Sequence, residues 1–350
     1  MNALSTPVPT TLGGALNSGW LSEILVSLEE GPVADVEVVD PVQVNQTIKA
    51  TIVRFRARFE NGQSVSLCLK GFLDRPEEAS AKNHASVRES RFYTDLSGRL
   101  NVRVPEYVTA PLNPESGHGI VYMRDMVEQN AHFCSALEPF DADRTARSLE
   151  QLALLHTSHL AIGPVEALDW TFRQIDWLAG YMTPEVLQNQ FADSRRDGIP
   201  AEQRDAGRLI EALKALSVAD AKRPAVLVHG DCHAGNVFET AQGAGLIDFQ
   251  LLQQGGWALD VAYHIAATLP VEVAEHEERR LLRHYLDFAR GAGAEVPDDE
   301  EAWTQYRMSA VYGYFLWAIT RTVEQKITNT FCHRLSNSVA RHESFRLLGV

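Results

Sequence analysis

The run TIVRFRARF, from Thr51 to Phe59, alternates strictly, with Val53, Phe55, Ala57 and Phe59 on one face and Arg54, Arg56 and Arg58 on the other. A period of two with one apolar face is the signature of a half-buried strand, and no helix can sort these side chains in that way. Asn61-Gly62 follows, a dipeptide that tolerates positive φ in a tight turn, and SVSLCLK then alternates again. The two strands are therefore predicted to pair antiparallel. Because Val65, Leu67 and Leu69 share one face of the second strand, Ser66, Cys68 and Lys70 share the other. A lysine is thus presented on a sheet surface beside small side chains.

Around this hairpin the patterning divides the chain in two. From Ser18 to Leu28, Trp20, Leu21, Ile24, Leu25 and Leu28 recur at helical spacing until Gly31-Pro32 stops them, which predicts an N-terminal packing helix. After the hairpin, AKNHASVRESRFYTDLSGRL reads as a helix that carries Glu89 and ends near Gly98, followed by short strands at VRVPEYV and GIVYMRDM. Beyond about Val127 the pattern turns helical. One helix follows an Asp141 cap through DRTARSLEQLALLHTSHL, and others are expected near 203–217, 257–268, 275–292 and 300–322. The expected class is α+β: a small antiparallel-sheet lobe at 36–126, a mainly helical lobe at 127–350, and an extension at 1–35.

Bulk properties narrow what such a chain does. At 350 residues it suits one large two-lobed unit or two ordinary domains, and 45% hydrophobic content is that of a packed globular protein. A net charge of −14 argues against a nucleic-acid partner, because that binding rests on Lys and Arg neutralising phosphates. Cys68, Cys134, Cys232 and Cys332 lie far apart with no CxxC pair, which fits a reduced, cytoplasmic chain. The N-terminus lacks the basic start and apolar run of a secretory signal. The most apolar stretch, SAVYGYFLWAIT at 309–320, is short of the ~20 residues needed to span a bilayer. It reads as a buried helix, with no membrane partner expected. Its aromatics Tyr312, Phe315 and Trp317 read as core packing before a substrate wall.

The helical half is interrupted once, by PAVLVHGDCHAGNVFETAQGAGLIDFQ, two apolar runs around a polar loop, read as one short hairpin. His229-Gly230-Asp231, Asn236 and Asp248-Phe249-Gln250 supply the residue types that phosphoryl transfer to an alcohol requires. Such a transfer needs a carboxylate to orient the hydroxyl and accept its proton, and oxygen ligands to hold Mg against the phosphates. Asp231 suits the first role, and Asn236 and Asp248 the second. Lys70 could neutralise phosphate charge, with Glu89 holding its ammonium in place. His229 reads as a loop residue bonding backbone, since Asp231 fills the role of base. A metallohydrolase cluster of His229, Asp231, Cys232 and His233 is the competing reading, but the spacing is wrong and further ligands are lacking.

These residues resemble the superfamily of aminoglycoside phosphotransferases, choline kinases and ecdysteroid kinase-like proteins, similar in fold to protein kinases. The resemblance runs through LCLKGF, VRESRFYTDL, VPEYV, IVYMRDM, VHGDCHAGNV, LIDFQ and GWALDVAYHI. It implies a two-lobed kinase-like fold, Asp231 as catalytic base, Asn236 and Asp248 as Mg ligands, and Lys70 with Glu89 as the nucleotide ion pair. Met123, Arg124, Asp125 and Met126 become a hinge binding the base of ATP or GTP through backbone groups. Cys68 completes the nucleotide-binding set, and Asp260 braces the catalytic loop.

Two departures from protein kinases carry information. Gly230 stands where an Arg commonly precedes the base, and only eleven residues separate Asp248 from Asp260, which leaves no room for a regulated activation loop. A small-molecule kinase with a constitutive site is the expected activity. The stretch DPVQVNQTIKA before the first strand has no glycine to cover the phosphates, the one argument for a nucleotide-binding pseudokinase. The acceptor is expected to be a hydroxyl on a neutral, partly apolar metabolite, because residues 307–350 hold only Glu324 and Glu343 as acids. Choline-like or aminoglycoside acceptors are the runner-up, and oligomeric state is not legible.

Overall fold

The protein is described by a computed structural model covering residues 6–43, 49–75 and 83–350. The chain divides into two compact units, one formed by residues 1–99, 104–132 and 248–250, the other by residues 100–103, 133–247 and 251–350.

The first unit is built on an antiparallel sheet of β1 (Val33–Gln43), β2 (Thr51–Phe59), β3 (Ser64–Gly71), β4 (Tyr107–Thr109) and β5 (Ile120–Arg124), in the order β1-β2-β3-β5-β4. The alternation in β2 and β3 sorts their side chains as expected. Val53, Phe55, Ala57, Phe59, Val65, Leu67 and Leu69 all lie in one core with Trp20, Leu21 and Ile24 of the N-terminal helix Ser18–Ile24. Each such large apolar side chain contributes about 1.5–3 kcal/mol when fully buried. Asn17 caps that helix, and the Trp20 indole donates to the Tyr122 hydroxyl at 2.9 Å, which ties the helix to β5. At the β2–β3 turn only Gly62 takes positive φ, at 85°.

β1 is absent from the sequence reading, for a physical reason. It is an edge strand, exposed along most of its length and interrupted by Pro41, so no apolar alternation marks it. Its acids instead match the arginine face of β2: Asp35, Glu37 and Asp40 stand opposite Arg58, Arg56 and Arg54 in the ladder. Their ion pairs span 3.9, 3.5 and 3.6 Å. The glycine-free stretch DPVQVNQTIKA falls partly at 44–48, outside the described residues.

The predicted helix after the hairpin is shorter than its periodicity suggests. It runs His84–Arg91, with Asn83 accepting from the Ser86 amide, and continues as a π-turn Phe92–Leu96 and a 3₁₀ turn Ser97–Arg99. Of VRVPEYV only Tyr107 and Val108 are strand, the start of Tyr107–Thr109.

The second unit is mainly helical. Ala142–His156 starts at Asp141, whose carboxylate accepts from the Arg144 amide at 2.7 Å. Ala206–Asp220, Val271–Gly291 and Asp299–Ile319 stand close to where periodicity places them. Every residue of Ala258–Thr268 is buried, so this helix is the centre of the unit. The apolar stretch 309–318 is buried within Asp299–Ile319, and Tyr312, Phe315 and Trp317 are core residues there. Among the described residues no helix is long and apolar enough to cross a membrane. The segment around 224–250 is not one hairpin. Val226–Val228 pairs with Gln253–Gly255, whereas Val237–Thr240 pairs with Gly243–Leu246. The loop holding Asp231 therefore joins two different ladders.

Candidate functional site

In the first unit, three of the expected residues meet. Lys70, seventh in β3 and buried, places Nζ 2.8 Å from Glu89 Oε1 and 2.9 Å from Asp248 Oδ1. The second Glu89 oxygen accepts from Gln250 Nε2 at 3.2 Å. Burial opposes the charge on Lys70, but Asp248 first and then Glu89 outweigh it and raise its pKa above the usual lysine range. Burial, and after it the Asp248 charge, push the Glu89 carboxyl up, opposed by Lys70. One ammonium thus serves two carboxylates. Asp248 sits at φ 67° with its side chain one-third exposed. The next residue anchors it: Phe249 is fully buried, stacked on Phe92 and edge-on to Tyr93.

The expected hinge lies in the same unit. Met123 stands opposite Cys68 in the β3–β5 ladder and opposite Tyr107 in β4. The side chains of Arg124 and Asp125 are engaged within the unit: Arg124 lies 3.6 Å from Glu106, and both Asp125 oxygens accept from Arg54 Nε, at 3.1 and 2.9 Å. Their amides are engaged as well, Arg124 donating to the Glu106 carbonyl at 2.8 Å and Asp125 to the Ser66 carbonyl at 3.1 Å. The Met126 carbonyl accepts from Gln129 and Ala131, closing a turn. Burial, then the Asp125 charge, push the Cys68 thiol up to about 12, so it remains neutral.

In the second unit the loop after Val226–Val228 is clamped by one buried carboxylate. Asp260 accepts from the backbone amides of His229 (2.7 Å) and Gly230 (2.9 Å), and its Oδ2 also meets His156 Nε2 at 3.0 Å. Burial works against its charge, but the His156 contact leads the effects that hold its carboxyl below the usual range. Gly230 is required here for two reasons. Its φ is 82°, and a Cβ would lie 2.3 Å from the Leu251 carbonyl oxygen. His229 bonds backbone, with Nε2 3.0 Å from the Ile247 carbonyl and Nδ1 accepting from the Asp231 amide at 3.3 Å. Asp231 Oδ1 accepts from the Tyr263 hydroxyl at 3.0 Å. Asn236 Nδ2 donates to the Asp231 carbonyl at 2.7 Å, leaving its amide oxygen as the group it can offer a cation.

An oxygen from Asn236 and the carboxylate of Asp248 are hard donors of the kind Mg prefers, so the residues fit that ion chemically. Among the described residues, no group of three or more His, Cys, Asp and Glu side chains is placed to hold a metal. The metallohydrolase set therefore has no geometric support. Sequence reasoning did not reach Tyr263 or His156, whose contacts to Asp231 and Asp260 span 32 and 104 residues. Only the i, i+3 placement of Asp260 and Tyr263 on one helix could have hinted at it.

Beneath the loop, His264 is fully buried, with Nδ1 2.5 Å from the Cys232 carbonyl and Nε2 2.7 Å from Ser148 Oγ. A neutral ring satisfies both contacts, donating to the carbonyl and accepting from the hydroxyl. Burial lowers its pKa from 6.5 to about 4. Above pH 6.5 the ring is neutral whether folded or unfolded, and no stability depends on it. Below that, the unfolded chain takes a proton the folded ring refuses, so stability falls as pH drops from 6.5 towards 4, by up to ~1.4 kcal/mol per pH unit. Urea titrations at pH 7 and 5 should show the wild type losing this increment and His264→Gln losing less. An equal loss in both would remove His264 as the source.

A family model described as the phosphotransferase enzyme family matches residues 51–296. No curated protein matches the chain by sequence. Among solved structures, the chain is similar to an ethanolamine kinase from Plasmodium vivax, at 15% identity and TM-score 0.50, over 89% of this chain and 82% of that one. It is also similar to the choline kinase LicA from Streptococcus pneumoniae, at 16% identity and TM-score 0.49, over 92% and 98%. The macrolide 2'-phosphotransferase MphH from Brachybacterium faecium follows at 18% identity and TM-score 0.43, over 89% and 96%.

Proposed function

The chain belongs to the phosphotransferase enzyme family, and from that premise we propose that it transfers the γ-phosphoryl of ATP or GTP, with Mg, to a hydroxyl of a neutral, partly apolar small molecule. That it is a small-molecule kinase with an alcohol group as acceptor, using a nucleotide, follows from the family. The single observation carrying the site assignment is the buried Lys70 ammonium held between Glu89 at 2.8 Å and Asp248 at 2.9 Å. Two of the three N–H donors of the ammonium are taken by these carboxylates, which leaves one for a phosphate oxygen.

In this reading Lys70 neutralises phosphate oxygens, Glu89 keeps its ammonium from swinging, and backbone of Met123, Arg124, Asp125 and Met126, with Cys68 beside it, receives the base. Asn236 and Asp248 would hold Mg, which would supply charge neutralisation on the phosphates. Asp231 accepts the proton as the substrate oxygen bonds the γ-phosphorus and the bridging P–O bond breaks, releasing the nucleoside diphosphate. The Asp260 clamp on the amides of His229 and Gly230 fixes the loop before substrate arrives, in keeping with a site that needs no activation segment.

The acceptor class rests on the scarcity of acids in residues 307–350. Of the two present, Glu343 already pairs with Arg346 at 2.5 Å, which leaves little to bind a polycation. The buried aromatics of that segment add no argument, since they pack the core. Purified protein with ATP or GTP, with and without Mg, should be screened for nucleotide consumption against neutral alcohols, sterols, aromatic alcohols, choline, ethanolamine and aminoglycosides. We expect Mg-dependent turnover, fastest on a neutral acceptor. A kcat/KM for any cationic acceptor above that of every neutral one would overturn the acceptor class, and no consumption with any acceptor would favour a pseudokinase.

A further inference from the structure

The side chain of Asp231 is gripped by a chain of aromatic donors that the phosphotransfer reading does not itself require. Tyr263 lies on the fully buried helix Ala258–Thr268, three residues after Asp260. That spacing puts both on one helix face, so a single helix holds the loop's backbone through Asp260 and its carboxylate through Tyr263. The Tyr263 hydroxyl donates to Asp231 Oδ1 at 3.0 Å and accepts from the Trp317 indole at 2.6 Å. An indole N–H can only donate, so it takes a lone pair of the hydroxyl and directs the single phenolic proton at Asp231. Burial first, then the Asp231 charge, hold the phenol well above its usual range, which keeps that proton in place.

A second feature shows that the neighbouring helix is shaped for this ring. Gly313 interrupts the 21-residue helix Asp299–Ile319, where a glycine costs about 1 kcal/mol relative to alanine. A Cβ there would lie 2.5 Å from Tyr263 Cδ2 and 2.8 Å from its Cγ. The glycine lets the backbone approach the ring face while Trp317, four residues on, reaches its hydroxyl. The other carboxylate oxygen, Oδ2, lies 3.7 Å from His233 Nε2, beyond hydrogen-bond reach. His233 Nδ1 accepts from the Gly235 amide at 3.0 Å.

We propose that Tyr263, oriented by Trp317, is a positioning residue for Asp231: it anchors Oδ1 so that Oδ2 is the oxygen that receives the proton of the acceptor hydroxyl. This rests on the reading of Asp231 as the base. The two oxygens are thereby made unequal, and the carboxylate is held in one orientation before the acceptor arrives.

The test compares Tyr263→Phe, Trp317→Phe, Asp231→Ala and the Tyr263→Phe/Asp231→Ala double variant. Release of ADP from Mg-ATP is followed with the panel acceptor that turns over fastest and with water alone as acceptor. Tyr263→Phe is expected to lower kcat about tenfold, the size of a lost hydrogen bond to a charged group, with KM for ATP unchanged. Trp317→Phe frees the hydroxyl to rotate and is expected to lower kcat about threefold in the same pattern, which keeps the test open should Tyr263→Phe not fold. In the Asp231→Ala background the Tyr263→Phe change should cost nothing further, whereas a loss of general packing would persist there. If Asp231→Ala is crippled but Tyr263→Phe and Trp317→Phe keep the wild-type kcat, or if the Tyr263 effect survives without Asp231, the inference is overturned and the base assignment stands. If Asp231→Ala turns over normally, it is the assignment of the base that fails.

Discussion

Asp231→Asn is expected to lower kcat by about 10²-fold or more, the usual range for losing a positioned general base, while leaving nucleotide affinity within about twofold. The substitution preserves shape. An asparagine oxygen can still accept from the Tyr263 hydroxyl, and the backbone carbonyl that takes the Asn236 amide is untouched. What disappears is the capacity to take a proton, so the transition state loses ~2.7 kcal/mol or more while the fold keeps its contacts. Single-turnover transfer measured beside nucleotide binding separates the two effects. Wild-type turnover in this variant would remove Asp231 from the chemistry, and loss of nucleotide affinity in equal measure would mean that the loop had rearranged.

Asp248→Ala is expected to abolish the Mg enhancement of nucleotide binding, costing about tenfold or more in affinity in the presence of Mg. Asp248 contributes the only carboxylate of the assigned pair, because Asn236 offers a neutral amide oxygen. The variant also relieves Lys70 of one of its two carboxylates, which leaves the Lys70–Glu89 pair at 2.8 Å as a simple ion pair. Binding without Mg should therefore be affected little or even improve, since a negative charge has been removed near the phosphates. Calorimetry of ATP with and without Mg distinguishes these outcomes. An equal Mg enhancement in wild type and variant would exclude the ligand role.

Much of this protein was legible because the information is local. The alternation of β2 and β3 follows from a pleated strand with one buried face, and it delivers Lys70 to the opposite surface without any knowledge of what packs there. The helices that begin at Asp141 and Asp298 carry their start signals in the capping residue itself. Asp231, Asn236 and Asp248 are close in sequence, so their residue types and spacing, taken with Lys70 and Glu89, could be read together. The helix Gln325–Arg341 was also within reach: Ile327, Phe331, Leu335 and Val339 recur every fourth residue, though polar neighbours dilute the pattern.

What only the tertiary structure decided has a common physical reason: the partners are far apart along the chain and neither announces the other. β1 pairs with β2 along an edge, with Val33 in the core, Val36 packed against it and its acids facing the arginines of β2, a combination that no alternation in its own sequence marks. The strand Val226–Val228 chooses Gln253–Gly255 over the nearer apolar run, which turns an expected hairpin into a loop between two ladders. Asp260 binds His229 and Gly230 from 30 residues or more downstream, and Trp317 reaches Tyr263 across 54. Sequence periodicity says that these helices have buried faces. Which buried face meets the Asp231 loop is set by how the helices pack, and that packing is what brings the Tyr263 hydroxyl to one oxygen of a carboxylate legible from its neighbours.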